Sequence, residues 1–515
     1  MKTTIRWALA TLTACAAATA EAQVGLPKDL DAEVTRALRL YQVPGMALAV
    51  VKDGTVLLAR GYGVRRLGDP SPVDANTYFQ IASNTKAFTT ALLAQLVDSG
   101  KLAWDDPVTK YLAWFQLSDP WVTREFTIRD LVTHRSGLGL GAGDLLWFHS
   151  NYGAEEVVRR LRAAKPVTSF RSAYAYDNVL YIAAGLVIEA VTGRRWSDVV
   201  KERIFMPLGM TAAGTDIALM SSADAASAHS LTAGRVEIVP LDTIENTLPA
   251  GGIIANVSDL AKWMIVRLDS GRLAGDGRLF STRQAAEMWA PQTILPIGNP
   301  PLPLAGLRPN FAAYGLGWAL RDYRGHKIVT HDGGLAGMTS RTILVPDLKL
   351  GIVMLTNAEQ SVYAPLGFEL LDHFFGLPRT DWVTRYHDAL GQAQGMADSV
   401  QRAQAAQRDT ASRSSLPLAR YAGRYADALY GDATITSEGD KLVLRFAHSP
   451  AFVGDLRHWQ HDTFVAHWRA AHIEDAFVTF SLNPDGSIEH FKMAAVSPLA
   501  DFSFDYQDLL FEPAP

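Results

Sequence analysis

Ile81-Ala82-Ser83-Asn84-Thr85-Lys86-Ala87-Phe88 opens a run to Val97 that is apolar on nearly every side: Ala87, Phe88, Ala91, Leu92, Leu93, Leu96 and Val97. The run stops at Gly100, a residue suited to the position just past a helix C-terminus. A helix apolar all round is buried on most sides, so its first turn lies deep in the fold. Ser83 and Lys86 are three residues apart and are neighbours on one helix face. A serine hydroxyl is a weak nucleophile until a base takes its proton. A lysine amine becomes that base when burial and the positive helix N-terminus lower its pKa. A serine cap beside an exposed lysine has the same spacing, so S-x-x-K needs partners elsewhere in the chain.

At 515 residues the chain exceeds a typical single domain, which calls for a large core and an addition. A hydrophobic content of 48% with 20% charged residues describes an ordinary globular protein, and a net charge of -5 gives no electrostatic footprint for nucleic acid. The N-terminus reads as a targeting segment: Lys2 and Arg6 are positive, Trp7 to Ala18 is apolar, and Ala20-Glu21-Ala22 is a cleavage site. Residues 1–22 are therefore expected to be a signal peptide, and the mature protein exported, either periplasmic or secreted. Leu12-Thr13-Ala14-Cys15 also fits a lipoprotein box, so lipid anchoring through Cys15 is the alternative. Cys15 is the only cysteine, so no disulfide is expected after cleavage. No later stretch is long and apolar enough to span a membrane.

Residues 29–41 read as an amphipathic helix, and Met46–Val51 with Thr55–Ala59 as a hairpin turning at Lys52-Asp53-Gly54. A second buried helix is expected from Val179 to Val191, and another from a Ser258 cap. Tyr314–Leu320, Lys327–Thr330, Thr339–Val345 and Leu350–Leu355 read as strands. Strands at both ends with helices between them give an α+β fold: one antiparallel sheet flanked by helices, plus a mostly helical subdomain. Ala, Gln, Arg and Asp dominate from Ala389 to Arg413, which marks a helical linker over 381–415. From Leu418 short aromatic segments alternate with turns, the sign of a small all-β barrel or sandwich, placed over 416–515.

Two segments carry chemistry that would complete the serine and lysine. Tyr174-Ala175-Tyr176-Asp177-Asn178 precedes the second buried helix. A tyrosine held near cations can act as phenolate and shuttle protons, and Asn178 can bond the lysine or a substrate amide. Val329-Thr330-His331-Asp332-Gly333-Gly334 lies at the end of a strand, where glycines admit a substrate backbone and free N–H groups. Two such donors aimed at one point make an oxyanion hole.

The order S-x-x-K, Y-x-N, H-x-G resembles the serine β-lactamase and penicillin-binding protein superfamily, in its class C-like branch with D-aminopeptidases and esterases. The likeness spans about residues 30–375. It extends to Leu131–Leu138, Phe205-Met206-Pro207-Leu208-Gly209-Met210 and Pro249–Met264. It implies that residues 23–380 form a β-lactamase-like hydrolase domain. Ser83 would be acylated, and Lys86 and Tyr176 would share acid–base work. Asn178 would orient Lys86 and substrate, and His331 would take the third motif's cationic position. The N–H groups of Ser83 and Gly334, beside Gly333, would hold the oxyanion. No cofactor or metal is implied.

β-Lactamases carry lysine where His331 stands, and a mostly neutral histidine captures a carboxylate weakly. The resemblance therefore implies a secreted hydrolase of amide bonds in short peptides, D-residue-containing or nonribosomal ones included. A carboxylesterase with little β-lactamase activity is one alternative. A penicillin-recognising binding or sensor module is the other. The stretches Tyr421–Tyr425 and His458–Phe464 resemble a lipocalin-like accessory domain. His458, His461, His467 and His472 suggest zinc, but the alternation around them is that of a strand. His134 and Arg135 are expected to fix a turn. Trp114, Phe115, Trp121, Trp147 and Phe148 are read as core or as cleft wall.

Overall fold

The computed structural model describes residues 25–232, 234–439 and 441–515. The expected signal peptide and the alternative anchor at Cys15 lie outside the described residues. Eight antiparallel strands form the central sheet, in the order Thr55–Gly63, Gly45–Lys52, Leu350–Thr356, Met338–Val345, His326–Leu335, Ala319–Tyr323, Ala312–Tyr314, Thr293–Ile294. Side chains alternate across it as the strand period requires. Met46, Leu48 and Val50 face one cluster with Ile343, Ile352 and Met354, covered by the helices Leu30–Leu40 and Tyr363–Phe374. Ala47, Ala49 and Val51 face the other, where the helices Lys86–Asp98, Val179–Thr192 and Val257–Leu268 pack. This is the expected α+β arrangement, with the helical subdomain between the two chain segments that build the sheet.

Trp382–Gln407 is a single 26-residue helix. Its first turn is core: Trp382 and Val383 are buried, and Trp382 Nε1 donates to Asp372 Oδ2 at 2.7 Å. Eight strands from Gly423–Asp427 to Leu510–Ala514 then close a meander barrel, Arg424 pairing with Ala514 across the seam. Closure removes the exposed edges that a small open sheet would present. Among the described residues no helix is long and apolar enough to cross a membrane.

Three local expectations are corrected. The helix Val257–Leu268 is capped by Asn256, not Ser258: Asn256 has extended backbone angles and its Oδ1 accepts from Asp259 N at 2.9 Å. Tyr314–Leu320 is not one strand. It breaks between Tyr314 and Ala319 at Gly317, whose φ is +80°. A Cβ there would meet Thr90 Oγ1 at 2.6 Å and Lys86 O at 3.1 Å, so the turn presses directly on the helix that follows Ser83. Finally, the strand expected over Lys327–Thr330 runs from His326 to Leu335, so His331-Asp332-Gly333-Gly334 belongs to its last part and does not follow it.

Candidate active site

Ser83 sits in a tight turn, Ala82–Thr85, that leads into the buried helix Lys86–Asp98. Ala82 takes φ +47°, a left-handed value uncommon for a residue with a side chain, and this kink brings the turn round to the sheet. Ile81 N bonds Ile253 O at 3.0 Å and Thr85 Oγ1 accepts from Ile253 N at 3.1 Å. From the sheet, Ser340 Oγ donates to Ile81 O at 2.7 Å and accepts from Asn84 Nδ2 at 2.7 Å. The turn is thus stitched on both sides.

Lys86 is completely buried. Its Nζ lies 3.0 Å from Ser83 Oγ, 2.6 Å from Asn178 Oδ1 and 3.0 Å from Ala250 O. Burial pushes its pKa down to about 7, against the pull of Asp144 and Asp177. A neutral amine has two N–H donors and one lone pair. With the donors spent on Asn178 Oδ1 and Ala250 O, the lone pair is left for the Ser83 hydroxyl proton.

Tyr176 and Asn178 arrive from the extended segment before the helix Val179–Thr192. Ala175 N bonds His134 O at 3.0 Å and Gly141 N bonds Tyr176 O at 2.8 Å, which fixes the segment from both sides. Lys86 Nζ is 4.8 Å from the centre of the Tyr176 ring. Burial drives the Tyr176 pKa well above that of a free phenol, although the Ser83 hydroxyl beside it pulls the other way. Tyr176 is therefore a neutral phenol at rest, which corrects the phenolate expectation.

His331 is buried and neutral. Burial and Lys86 depress its pKa to about 3, against a backbone bond to Asp332 that favours the proton. Its Nδ1 faces Asp332 O at 2.6 Å and its Nε2 faces Tyr314 Oη at 2.8 Å. A neutral, doubly bonded ring thus stands at the motif's cationic position, in line with the mostly neutral histidine expected there. Gly333 passes so close to the Ser83 turn that a Cβ would stand 2.4 Å from Ile81 O, 2.5 Å from Ser340 Oγ and 3.0 Å from Ser83 N. Gly334 faces open space beside it. The neighbouring strand Ala319–Tyr323 pairs only as far as Thr330, so beyond it this edge is free to meet a ligand.

Ser83, Tyr176, Asn178, His331, Gly333 and Gly334 line one cleft of about 820 Å³, with Lys86 buried behind them. Trp147, Phe148 and Leu140 form an apolar wall, and the barrel contributes His472, Glu474, Asp501, Phe502, Ser503 and Phe504. The Phe502 ring meets Tyr176 edge-on at 5.6 Å. Asp242, Asp332, Glu359, Glu474 and Asp501 are in the lining, and among the described residues no lysine or arginine is. Phe115 is core, while Trp121 is exposed. His134, read as a turn residue, is fully buried with its ring 4.2 Å from that of Tyr176, and its Nδ1 accepts from Asp177 N at 3.1 Å.

The barrel histidines do not converge. His458 Nε2 meets His461 O at 2.9 Å, His467 Nδ1 meets Asp475 Oδ2 at 2.6 Å, and His472 lies by His149 in the cleft. Among the described residues, Glu33, Glu369 and Asp381 are a grouping close enough to hold an ion. They lie across the sheet from Ser83, where Arg36 and Arg379 already pair with Glu33 and Asp381.

Residues 30–374 match the family described as Beta-lactamase, and residues 407–513 match a domain of unknown function, DUF3471. The chain is 32% identical over 441 residues to the unguisins hydrolase ungD of Aspergillus violaceofuscus, covering 79% of this chain and 76% of that one. It is 29% identical over 345 residues to penicillin-binding protein 4 of Amycolatopsis lactamdurans, covering 65% and 87%. Among solved structures, the octameric penicillin-binding protein homologue from Pyrococcus abyssi superimposes with a TM-score of 0.61 at 21% identity, covering 91% of this chain and 98% of that one.

Proposed function

We propose a function from one premise: the chain belongs to the β-lactamase family and is a serine hydrolase of that fold. Its substrates are amide bonds of short peptides, D-residue-containing or nonribosomal ones included, cleaved through an acyl-enzyme on Ser83. The observation that carries this is the buried Lys86 amine, 3.0 Å from Ser83 Oγ with its other partners supplied by Asn178 and Ala250.

Lys86, as the neutral amine, takes the Ser83 proton while Oγ attacks the scissile carbonyl. The N–H groups of Ser83 and Gly334 hold the oxyanion. The proton passes through the Tyr176 phenol to the leaving nitrogen, the C–N bond breaks, and water then hydrolyses the ester by the reverse relay. Lys86 is the first base because burial lowers its proton affinity and raises that of a Tyr176 phenolate.

Substrate class follows from the cleft's charge. The lining holds five carboxylates, of which Asp332 pairs with Arg341 at 3.4 Å, and among the described residues no lysine or arginine lines it, so the cleft disfavours a carboxylate next to the scissile bond. Neutral or cationic peptides suit it, and β-lactams, which carry a carboxylate, do not. The similarity to an unguisins hydrolase, reaching over most of the chain, supports a hydrolytic reaction. Residues 23–380 act as the catalytic domain, 381–415 as its helical connection and 416–515 as an accessory barrel that walls the cleft. The N-terminal charge and apolar pattern supports export.

A panel on the mature chain tests this: L- and D-aminoacyl anilides, short peptides, p-nitrophenyl esters and nitrocefin. Amide turnover with poor nitrocefin hydrolysis is expected. Ester turnover without any amide turnover makes it a carboxylesterase, and fast nitrocefin hydrolysis overturns the charge argument.

A further inference from the structure

Asp144 follows Gly143, whose φ is +82°, at the start of a short turn on the cleft wall, and it is completely buried. Its two carboxylate oxygens have separate donors. Trp147 Nε1 donates to Oδ1 at 2.7 Å, and Asn178 Nδ2 donates to Oδ2 at 2.9 Å. The other end of the same Asn178 amide accepts from Lys86 Nζ at 2.6 Å. The two ends of an amide are nearly equal in size, so the partner on the far side decides which end meets the lysine. Both oxygens of Asp144 are met by N–H donors, so the Asn178 amide turns its NH₂ to Asp144 and leaves its oxygen for Lys86.

We propose that Asp144 is a positioning residue of the catalytic centre, which fixes the Asn178 amide with its oxygen on Lys86 and thereby sets the proton affinity of the base. The barrel holds it in place. Asp505 accepts from Gly143 N at 2.8 Å and from Leu145 N at 3.2 Å, gripping the turn on either side of Asp144. Tyr430 Oη, also from the barrel, donates to Asp505. Ser503 adds a hydrogen bond that favours the Asp144 carboxylate. A line of contacts therefore runs from the barrel through Asp144 and Asn178 to Lys86 and Ser83.

The charges around this line define its pH response. Burial raises the proton affinity of Asp144 and lowers that of Lys86, while each pulls the other back. Asp177 faces Lys86 from the same segment as Asn178, and burial raises its pKa. His134 and His331 lie within reach of the Lys86 charge and are neutral, and Tyr174, Tyr176, Tyr181 and Tyr314 are uncharged phenols. On the barrel side Asp505 and Asp508 are pushed up by burial, and Tyr430 is too. Lys86 and Asp144 thus titrate as a pair.

The inference rests on Ser83 and Lys86 acting as nucleophile and base. The test is Asp144→Asn in the full chain, with rates expressed per active site labelled by a fluorophosphonate. The new amide offers an NH₂ where Asn178 or Trp147 needs an acceptor. We expect kcat to fall at least about tenfold with KM within about threefold. The acid limb of kcat/KM should move at least about half a unit to lower pH, because removing a negative charge beside Lys86 lowers its pKa. A purely structural role would lower the active fraction and leave the per-site rate and the limb unchanged; that result overturns the proposal. If Asp144→Asn does not fold, Trp147→Phe removes only one donor to the carboxylate. It should cut kcat about threefold and move the limb the same way, and unchanged values overturn the proposal equally. Failure to label Ser83 in the wild-type protein would instead overturn the mechanism on which the inference rests.

Discussion

The pKa of Lys86 gives the sharpest quantitative expectation. An ordinary lysine, titrating at about 10.4, has roughly one neutral molecule in 2500 at pH 7. Burial lowers the Lys86 pKa to about 7, so about half of the molecules carry the free amine at that pH. Burial alone thus raises the supply of base on the order of a thousandfold. The perturbation is pH, paired with Lys86→Arg, whose guanidinium keeps its proton throughout the accessible range. Initial rates of kcat/KM on a p-nitrophenyl ester, from about pH 5 to 9, are the assay. The wild type should show an acid limb centred near 7 and lose about tenfold per unit below it. Lys86→Arg should lose about 10²–10⁴-fold and show no such limb. The same shift has a stability consequence. The folded pKa lies below the unfolded one, so between the two the unfolded chain binds more protons and stability rises with pH. A flat profile from about pH 5.5 to 8, or an arginine variant within tenfold of wild type, would refute Lys86 as the base.

Other expectations follow from the same geometry. Tyr176→Phe should leave the thermal unfolding temperature within a few degrees but cut kcat by about 10²–10⁴; a rate within twofold of wild type would remove the phenol from the relay. Gly333→Ala drives a methyl to within 2.4 Å of Ile81 O and 3.0 Å of Ser83 N. It should therefore reduce fluorophosphonate acylation by more than about tenfold, and normal labelling would show that the strand yields freely. Deleting residues 416–515 removes the Asp505 bonds to Gly143 N and Leu145 N and uncovers Phe148, which packs on Phe452 and Phe504. Loss of turnover on every substrate is expected, and full activity on any one would confine the barrel to substrate choice.

The fold was legible where local pattern and burial agree. The apolar run after Ser83 announces a buried helix, and the strands flanking Lys52-Asp53-Gly54 announce a hairpin. Legibility failed where two local solutions are chemically alike. Asn256 and Ser258 are both good caps, and only the extended angles of Asn256 decide between them. The apolar stretch Tyr314–Leu320 hides a break at Gly317 because the reason for that break is the approach of Thr90 from a distant helix.

At the site, the S-x-x-K spacing is a local fact, whereas Tyr176, Asn178, His331 and the glycines came from the order of motifs. Asp144 carries no signal of its own in the sequence, and His134 signals only a turn, for one physical reason. Each acquires its role from burial against residues far along the chain, and the only trace in sequence is a polar side chain in an apolar setting, as in Leu140 to Phe148. Burial also decided two charge states that residue type leaves open. It keeps His331 neutral and makes Tyr176 a phenol rather than a phenolate.

The central claim is that Ser83 becomes acylated during amide hydrolysis. The most direct measurement is intact-protein and peptide mass spectrometry after rapid quenching with a slow aminoacyl anilide, with Ser83→Ala as the blank. An acyl adduct is expected on the peptide containing Ser83, formed at a rate competent for turnover and absent from the alanine variant. Turnover by Ser83→Ala, or an adduct on any other residue, would contradict it.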